Sequence, residues 1–314
     1  TSRLLAEEAL AAVTDAGLPP ATVQLIYRTD HEVGKRLVSH PLIGGTGYTG
    51  SRHAGLTLKE AADRGGKPIY LELSSVNPVY ILPGALRERS DAIAEEFQTS
   101  CLMGTGQFCT NPGVVLALKG EAFTALQNAA ITALNASPAQ KMLTDGIHSA
   151  YHNGVSALSK HATEVTGGQR ADTPRHSHAA AFRVDADTWL KTPALHREVF
   201  GAAGVFVECD DAQQMKDVAQ ELEGQLTITL QMDGGDTALA KDLLPIVEEK
   251  AGRLLCNGFP TGVEVCSAMM HGGPYPASTD SRSTSVGTLA ITRWLRPVAY
   301  QNFPTDLLHD DLTP

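Results

Sequence analysis

Apolar residues recur every three to four positions at the start of the chain, then fall into short runs bounded by glycine and proline. The first pattern predicts a helix over 2–16, with Leu5, Ala9, Ala12, Val13 and Ala16 on one face. Ser2 is its candidate cap, and Gly17 with Pro19 and Pro20 is its stop. The β-branched run 22–27 predicts a strand, 32–39 a short helix, 43–49 a second strand and 52–62 a second long helix. The mostly apolar run 68–73 predicts a third strand, buried on both faces. Strands alternating with helices imply a parallel, doubly wound sheet, whose functional edge is the carboxyl ends of its strands. Gly50, Ser51 and Glu72 stand at such ends. Three strands make a thin core for such a sheet, so further sequence is expected before residue 1.

A second α/β region follows. Helices are predicted over 90–103, 121–133, 139–160, 212–223 and 238–251. Strands are predicted over 114–118, 179–182, 203–208, 226–230 and 253–257, with a last one at 288–295. The stretch 167–174 reads as a polar loop. No internal repeat and no low-complexity segment stands out.

The 314 residues are enough for two domains with their own cores, and 42% apolar with 19% charged residues is the balance of a globular protein. A net charge of −10 argues against a nucleic-acid partner. No apolar run is long enough for a membrane span, and the start lacks a signal-peptide pattern. Five cysteines at wide spacings form no C-x-x-C pair, which suits free thiols in a reducing cytoplasm, the expected location. Eleven histidines include no H-E-x-x-H pattern, so no metal is expected. The nearest pair, His176 and His178, reads as an exposed polar loop.

The candidate chemistry lies in two places. Cys109 stands in Gly104-Thr105-Gly106-Gln107-Phe108-Cys109-Thr110-Asn111-Pro112-Gly113, where backbone freedom and nearby amides suit a reactive thiol. Glu72 ends an apolar strand, where a carboxylate can act as a base. Each has an ordinary alternative: a small core residue for Cys109, a salt bridge or helix cap for Glu72. Cys101, Cys209 and Cys256 read as inert core thiols. Thr49-Gly50-Ser51-Arg52-His53-Ala54-Gly55 joins strand to helix without the Lys-Ser/Thr pair of a P-loop, and helix-start amides there suit a phosphate.

Taken in order, Tyr48-Thr49-Gly50-Ser51, Glu72-Leu73 before Asn77-Pro78, Gly106-Gln107-Phe108-Cys109 and Glu198-Val199-Phe200-Gly201 resemble motifs of the aldehyde dehydrogenase superfamily. Ala16-Gly17-Leu18-Pro19-Pro20 resembles a further segment of it, and the likeness runs over essentially the whole chain. Leu73-Ser74-Ser75 in place of Leu-Gly-Gly, Asn257-Gly258-Phe259-Pro260-Thr261-Gly262 and His271-Gly272-Gly273-Pro274-Tyr275-Pro276 resemble the α-ketoglutaric semialdehyde dehydrogenase branch. Fatty-aldehyde dehydrogenases share parts of this pattern.

The resemblance implies an α/β fold, with a partial Rossmann-type cofactor domain over 1–73, an α/β catalytic domain over 74–287 and an oligomerisation arm over 288–314. It implies a chain corresponding to the C-terminal three-fifths of a member. NADP or NAD is the implied cofactor, a small aldehyde the substrate, and a homodimer or homotetramer the assembly, with neither nucleic acid nor membrane as partner. Cys109 is implied as nucleophile and Glu72 as base for hydrolysis of the resulting thioester. Thr49, Gly50, Ser51, Gly55, Glu198 and Phe200 are implied at the cofactor. Phe108, Thr110 and Phe259 are candidate pocket walls, and Arg282 a candidate cation for a second carboxylate. A broad or fatty-aldehyde dehydrogenase, a non-catalytic remnant and a cofactor-free thiol esterase are the rival readings.

Overall fold

Alternating residues of the central strands are apolar on both faces, and this decides the architecture of the larger part of the chain. The computed structural model describes residues 2–26 and 29–312. Its strands are β1 (Thr46–Thr49), β2 (Ile69–Glu72), β3 (Val79–Ile81), β4 (Val114–Leu118), β5 (Gln140–Lys141), β6 (Thr163–Gly167), β7 (His176–Ser177), β8 (Ala180–Asp185), β9 (Ala203–Cys209), β10 (Gln225–Gln231) and β11 (Ala251–Cys256). Its helices are α1 (Ser2–Asp15), α2 (His31–Val38), α3 (Arg52–Arg64), α4 (Pro83–Leu102), α5 (Glu121–Ala136), α6 (Asp145–Leu158), α7 (Ala186–Lys191), α8 (Ala212–Glu221) and α9 (Thr237–Glu248).

Two compact units separate at Tyr48/Thr49, Arg52/His53 and Ile69/Tyr70. The smaller holds α1, α2 and most of α3, with Val13, Val38, Ala61, Ala62 and Ile69 as its buried apolar residues. In the larger, seven strands run in the order β11-β10-β3-β4-β9-β8-β6. All neighbours are parallel except β6 against β8. Val79, Ile81, Val115, Ala117 and Phe206 face one side, with Ile93 and Phe97 of α4 and Phe123 and Leu126 of α5. Tyr80, Val114, Leu116, Val205 and Val207 face the other, against Tyr151 of α6, Trp189 of α7, Val218 of α8 and Leu243 of α9. The period-2 side-chain alternation of a strand thus buries both faces under helices. Among the described residues no helix is long and apolar enough to cross a membrane.

Several expectations need correction. No strand forms over 22–26: Pro20–Thr22 is a 3-10 turn, and Val23, Leu25 and Ile26 are exposed. Proline removes an N–H, and a strand without a neighbour has nowhere to place its backbone hydrogen bonds. Tyr27 lies outside the described residues. The predicted helix 139–160 begins only at Asp145, because Gln140–Lys141 pairs antiparallel with His176–Ser177 as β5 and β7. That pairing also half-buries His176 and His178, which are not an open loop. The predicted strand 288–295 is a 3-10 helix, Thr288–Trp294. The strands β3, β5, β6 and β7 were not predicted, each being short or polar. Cys256 is exposed rather than core, because β11 is an edge strand whose outward positions meet solvent. Ser2 is the first described residue of α1 and not its cap, and the helix buries Val13 alone.

One contact across the sequence fixes where α4 begins. The buried Asp236 carboxylate accepts the amides of Gly84 at 2.6 Å and Ala85 at 3.0 Å, two of the donors a helix start leaves unpaired. It also accepts the Asp233 amide at 2.9 Å. Asp236→Ala leaves two buried amides and a partly buried one unpaired and should lower stability by about 2–4 kcal/mol. Urea unfolding measures it, and a loss below about 0.5 kcal/mol would refute the role.

Candidate active site

Glu72 leaves β2 and the chain runs through Ser74 to Asn77 before entering β3. Cys109 leaves α4 through a tight left-handed turn, with positive φ at Gly104, Thr105 and Gly106, before entering β4. A Cβ on Gly106 would lie 2.3 Å from the backbone of Gly201 and Ala202, so the approach of these loops admits only glycine. The Asn77 side-chain amide donates to the carbonyls of Cys109 and Asn111, both at 2.9 Å. Its oxygen accepts from Ser75 and from Thr227 of β10, and Gln225 Oε1 accepts the amides of Val76 and Asn77. Ser75 is thus built into a buried network and not turned toward Glu72.

A third residue completes the centre. His271 Nε2 lies 3.4 Å from Cys109 Sγ and 3.1 Å from Glu72 Oε1. Glu72 is 6% and His271 3% exposed, so solvent does not screen this contact. The other carboxylate oxygen accepts from Ser285 Oγ at 2.8 Å. The His271 amide donates to Thr284 Oγ1 at 2.8 Å, and the Ser285 amide donates to the His271 carbonyl at 2.9 Å. This loop is tied to Glu72's strand by Leu73 N–H to Ala277 O and Thr279 N–H to Leu71 O.

Burial pushes the Glu72 carboxyl up, but the hydrogen bond and charge of His271, with hydrogen bonds from Ser285 and Cys109, outweigh it and hold the group below its ordinary value. Burial pushes the Cys109 thiol up to about 12, and the charge of Glu72 and a hydrogen bond to it add to the effect. The resting pair is therefore a thiol beside a carboxylate. Making the sulfur nucleophilic means moving its proton to a neighbour within reach, His271 or Glu72.

Glu198 precedes β9 on the same edge. Burial pushes its carboxyl up to about 7, against the Ser74 hydroxyl, the Ser75 amide and the Arg52 charge, all of which pull it down. Arg52 also pairs with Glu223 at 2.7 Å. Thr49, Gly50 and Ser51 are exposed at the end of β1, where the Gly50 amide donates to the Glu72 carbonyl at 3.2 Å. Gly55 is buried on α3, in the smaller unit. Phe200 is half-buried near Glu198 in sequence, and Phe108 is exposed. Thr110 is buried, its carbonyl meeting Thr261 Oγ1 at 3.4 Å. Phe259 packs on Phe97 with ring centroids 6.2 Å apart. Arg282 is exposed, its amide donating to Asp280 Oδ1. Arg253 was not singled out in the sequence. Its guanidinium donates to the carbonyls of Pro260 and Gly262, and its buried Nε has no hydrogen-bond partner.

His271 was also missed. It stands 162 residues from Cys109 and 199 from Glu72, without a local spacing pattern, and its only signal is the run His271-Gly272-Gly273-Pro274-Tyr275-Pro276 that marks the branch.

A half-buried thiol, a buried carboxylate and a buried imidazole thus meet where the chain enters the seven-stranded sheet. Residues 1–273 match the aldehyde dehydrogenase family, and the chain belongs to it. It is 47% identical, over 99% of its length, to α-ketoglutaric semialdehyde dehydrogenase 2 of Azospirillum brasilense. It is 41% identical, again over 99%, to the α-ketoglutaric semialdehyde dehydrogenase of Acinetobacter baylyi. It spans 60% of the length of each of these relatives. Aldehyde dehydrogenase C of Pseudomonas syringae, solved with NAD+ and octanal, has the same fold with a TM-score of 0.76 at 19% identity, over 90% of this chain and 58% of that one.

Two outcomes follow from the charges. Glu72→Gln leaves the burial but removes the carboxylate charge that adds to it in raising the thiol's proton affinity, so the pH profile of Cys109 alkylation by iodoacetamide should move to lower pH. An unmoved or upward-shifted profile would refute the coupling. The Glu198 carboxyl keeps its proton to about pH 7 when folded and to about pH 4.5 when unfolded, so wild type loses stability as pH rises through this window. Glu198→Gln should therefore gain melting temperature relative to wild type between pH 4.5 and 7, and a constant difference would count against it.

Proposed function

We propose that this chain carries the catalytic part of an NAD(P)-dependent aldehyde dehydrogenase acting on α-ketoglutaric semialdehyde. The observation that carries the reading is the buried contact of Cys109, Glu72 and His271 at the loop edge of the sheet. Cys109 gives its proton to a neighbour, and its sulfur bonds to the aldehyde carbon. The Cys109 amide is placed to hold the oxygen that becomes negative. The nicotinamide cofactor, when bound, supplies the hydride acceptor that leaves the carbon at the acid oxidation level as a thioester on Cys109. Glu72, held ionised, takes a proton from water as its oxygen adds to that thioester, and sulfur leaves with the carboxylic acid as product.

The cofactor fits the residues present. Glu198 is a half-buried carboxylate pinned by Ser74 and Ser75, and such a group suits a pair of ribose hydroxyls. Thr49, Gly50 and Ser51 lead into the first turn of α3, and a helix start suits a phosphate. Residues 1–73 then belong to the cofactor domain, 74–287 to the catalytic domain and 288–314 to an arm between subunits of a dimer or tetramer.

The second carboxylate of the substrate needs a cation. Arg282 was the expectation from sequence, and Arg253, whose buried Nε has no hydrogen-bond partner, is a second candidate. The test is steady-state turnover of the purified protein with NAD+ or NADP+, comparing α-ketoglutaric semialdehyde with a long-chain aldehyde. Cys109→Ala should abolish turnover. Glu72→Gln should keep a first-turnover burst and lose steady-state rate at least 100-fold. Equal kcat/KM for both aldehydes would overturn the substrate, and turnover retained in Cys109→Ala would overturn the mechanism.

A further inference from the structure

We propose that Glu72 Oε1, Cys109 Sγ and His271 Nε2 form a binding site for a thiophilic divalent cation, with Zn2+ the best match, and that its occupation holds the protein in a reversible inactive state. The three atoms lie within 4.8 Å of one another and belong to the one such group among the described residues. Tetrahedral zinc with bond lengths of about 2.3 Å to sulfur, 2.1 Å to nitrogen and 2.0 Å to oxygen sets its ligands about 3.6 Å (S to N) and about 3.3 Å (N to O) apart. The corresponding distances are 3.4 and 3.1 Å, within a few tenths of an ångström of that spacing, and the third pair, Sγ and Oε1, lies within 4.8 Å and closes as the ion enters.

The donors are also held as a metal site requires. Ser285 binds Glu72 through the oxygen that faces away from His271, leaving Oε1 free to be the ligand. Thr284 fixes the His271 backbone, and Asn77 fixes that of Cys109. The buried His271 Nδ1 has no hydrogen-bond partner, so it can carry the ring proton and leave the Nε2 lone pair for the ion. One sulfur, one imidazole and one carboxylate select zinc or cobalt over magnesium or calcium, which take oxygen ligands. Three protein ligands leave the fourth tetrahedral position for water. Binding displaces the thiol proton to solvent, one per ion, and the metal then occupies the thiol and the carboxylate together, so neither can react.

The experiment needs neither aldehyde nor nicotinamide cofactor, so its failure would be distinct from failure of the dehydrogenase reading. The exposed thiols Cys256 and Cys266 are first replaced by serine to remove other sites for zinc. Calorimetry with ZnCl2 should give one ion bound and one proton released per chain. CoCl2 should give a sulfur-to-cobalt charge-transfer band in the near ultraviolet, and MgCl2 neither. Cys109→Ala should abolish the band. His271→Asn and Glu72→Gln should each weaken zinc binding at least tenfold. In the protein with Cys109, His271 and Glu72 intact, zinc should protect Cys109 from iodoacetamide, read by peptide mass, and EDTA should restore alkylation. A cobalt band that survives Cys109→Ala, or Cys109 alkylated equally fast with and without zinc, would overturn the proposal. The alkylation arm decides the matter even where a variant fails to fold.

Discussion

The side chain of Asn77 holds the centre together. Its two N–H groups end on the carbonyls of Cys109 and Asn111, and its oxygen takes hydrogen bonds from Ser75 and Thr227. All the hydrogen-bonding capacity of a buried amide is thereby used, so the group gains from the low dielectric around it instead of suffering from it. The loop before β3, the loop before β4 and the start of β10 are locked by this one residue, and with them the position of the sulfur.

The centre gathers on the amino edge of the seven-stranded sheet. Asn77, Cys109, Glu198 and Gln225 precede or begin β3, β4, β9 and β10, which all run parallel, so their starts share an edge. The carboxyl-end rule holds for β1 and β2, where Gly50 meets Glu72 by a backbone hydrogen bond. Glu72 is the hinge between the two arrangements, because its strand ends where the loop to the larger sheet begins.

Electrostatics divides the work between two acidic groups that share this edge. Glu72 is drawn toward its charged form by His271 and Ser285, whereas Glu198 is pushed toward its neutral form by burial. The thiol sits next to the charged one and is itself held protonated. The sulfur becomes nucleophilic only when that proton moves to a neighbour. The same three donors lie at the spacing of a metal-ligand set, since a pair poised for proton transfer is also a pair of converging lone pairs.

The sequence by itself determined the α/β class, the boundaries of β4, β9 and β10 to within a residue or two, and the glycine-rich turn around Cys109. These are written locally: continuous apolar runs make buried strands, and a glycine-rich turn around a cysteine is visible without any partner. It also carried Gly106, although only the approach of Gly201 and Ala202 explains why glycine stands there. Tertiary structure alone decided that 22–26 would find no strand partner, that 139–160 would break to pair with β7, and that Cys256 would face solvent from an edge. It alone brought His271 to Cys109 and Arg253 to the carbonyls of Pro260 and Gly262. A lone histidine or arginine in a loop has no periodicity to read, and its chemistry exists only once long-range packing has set its neighbours within a few ångströms.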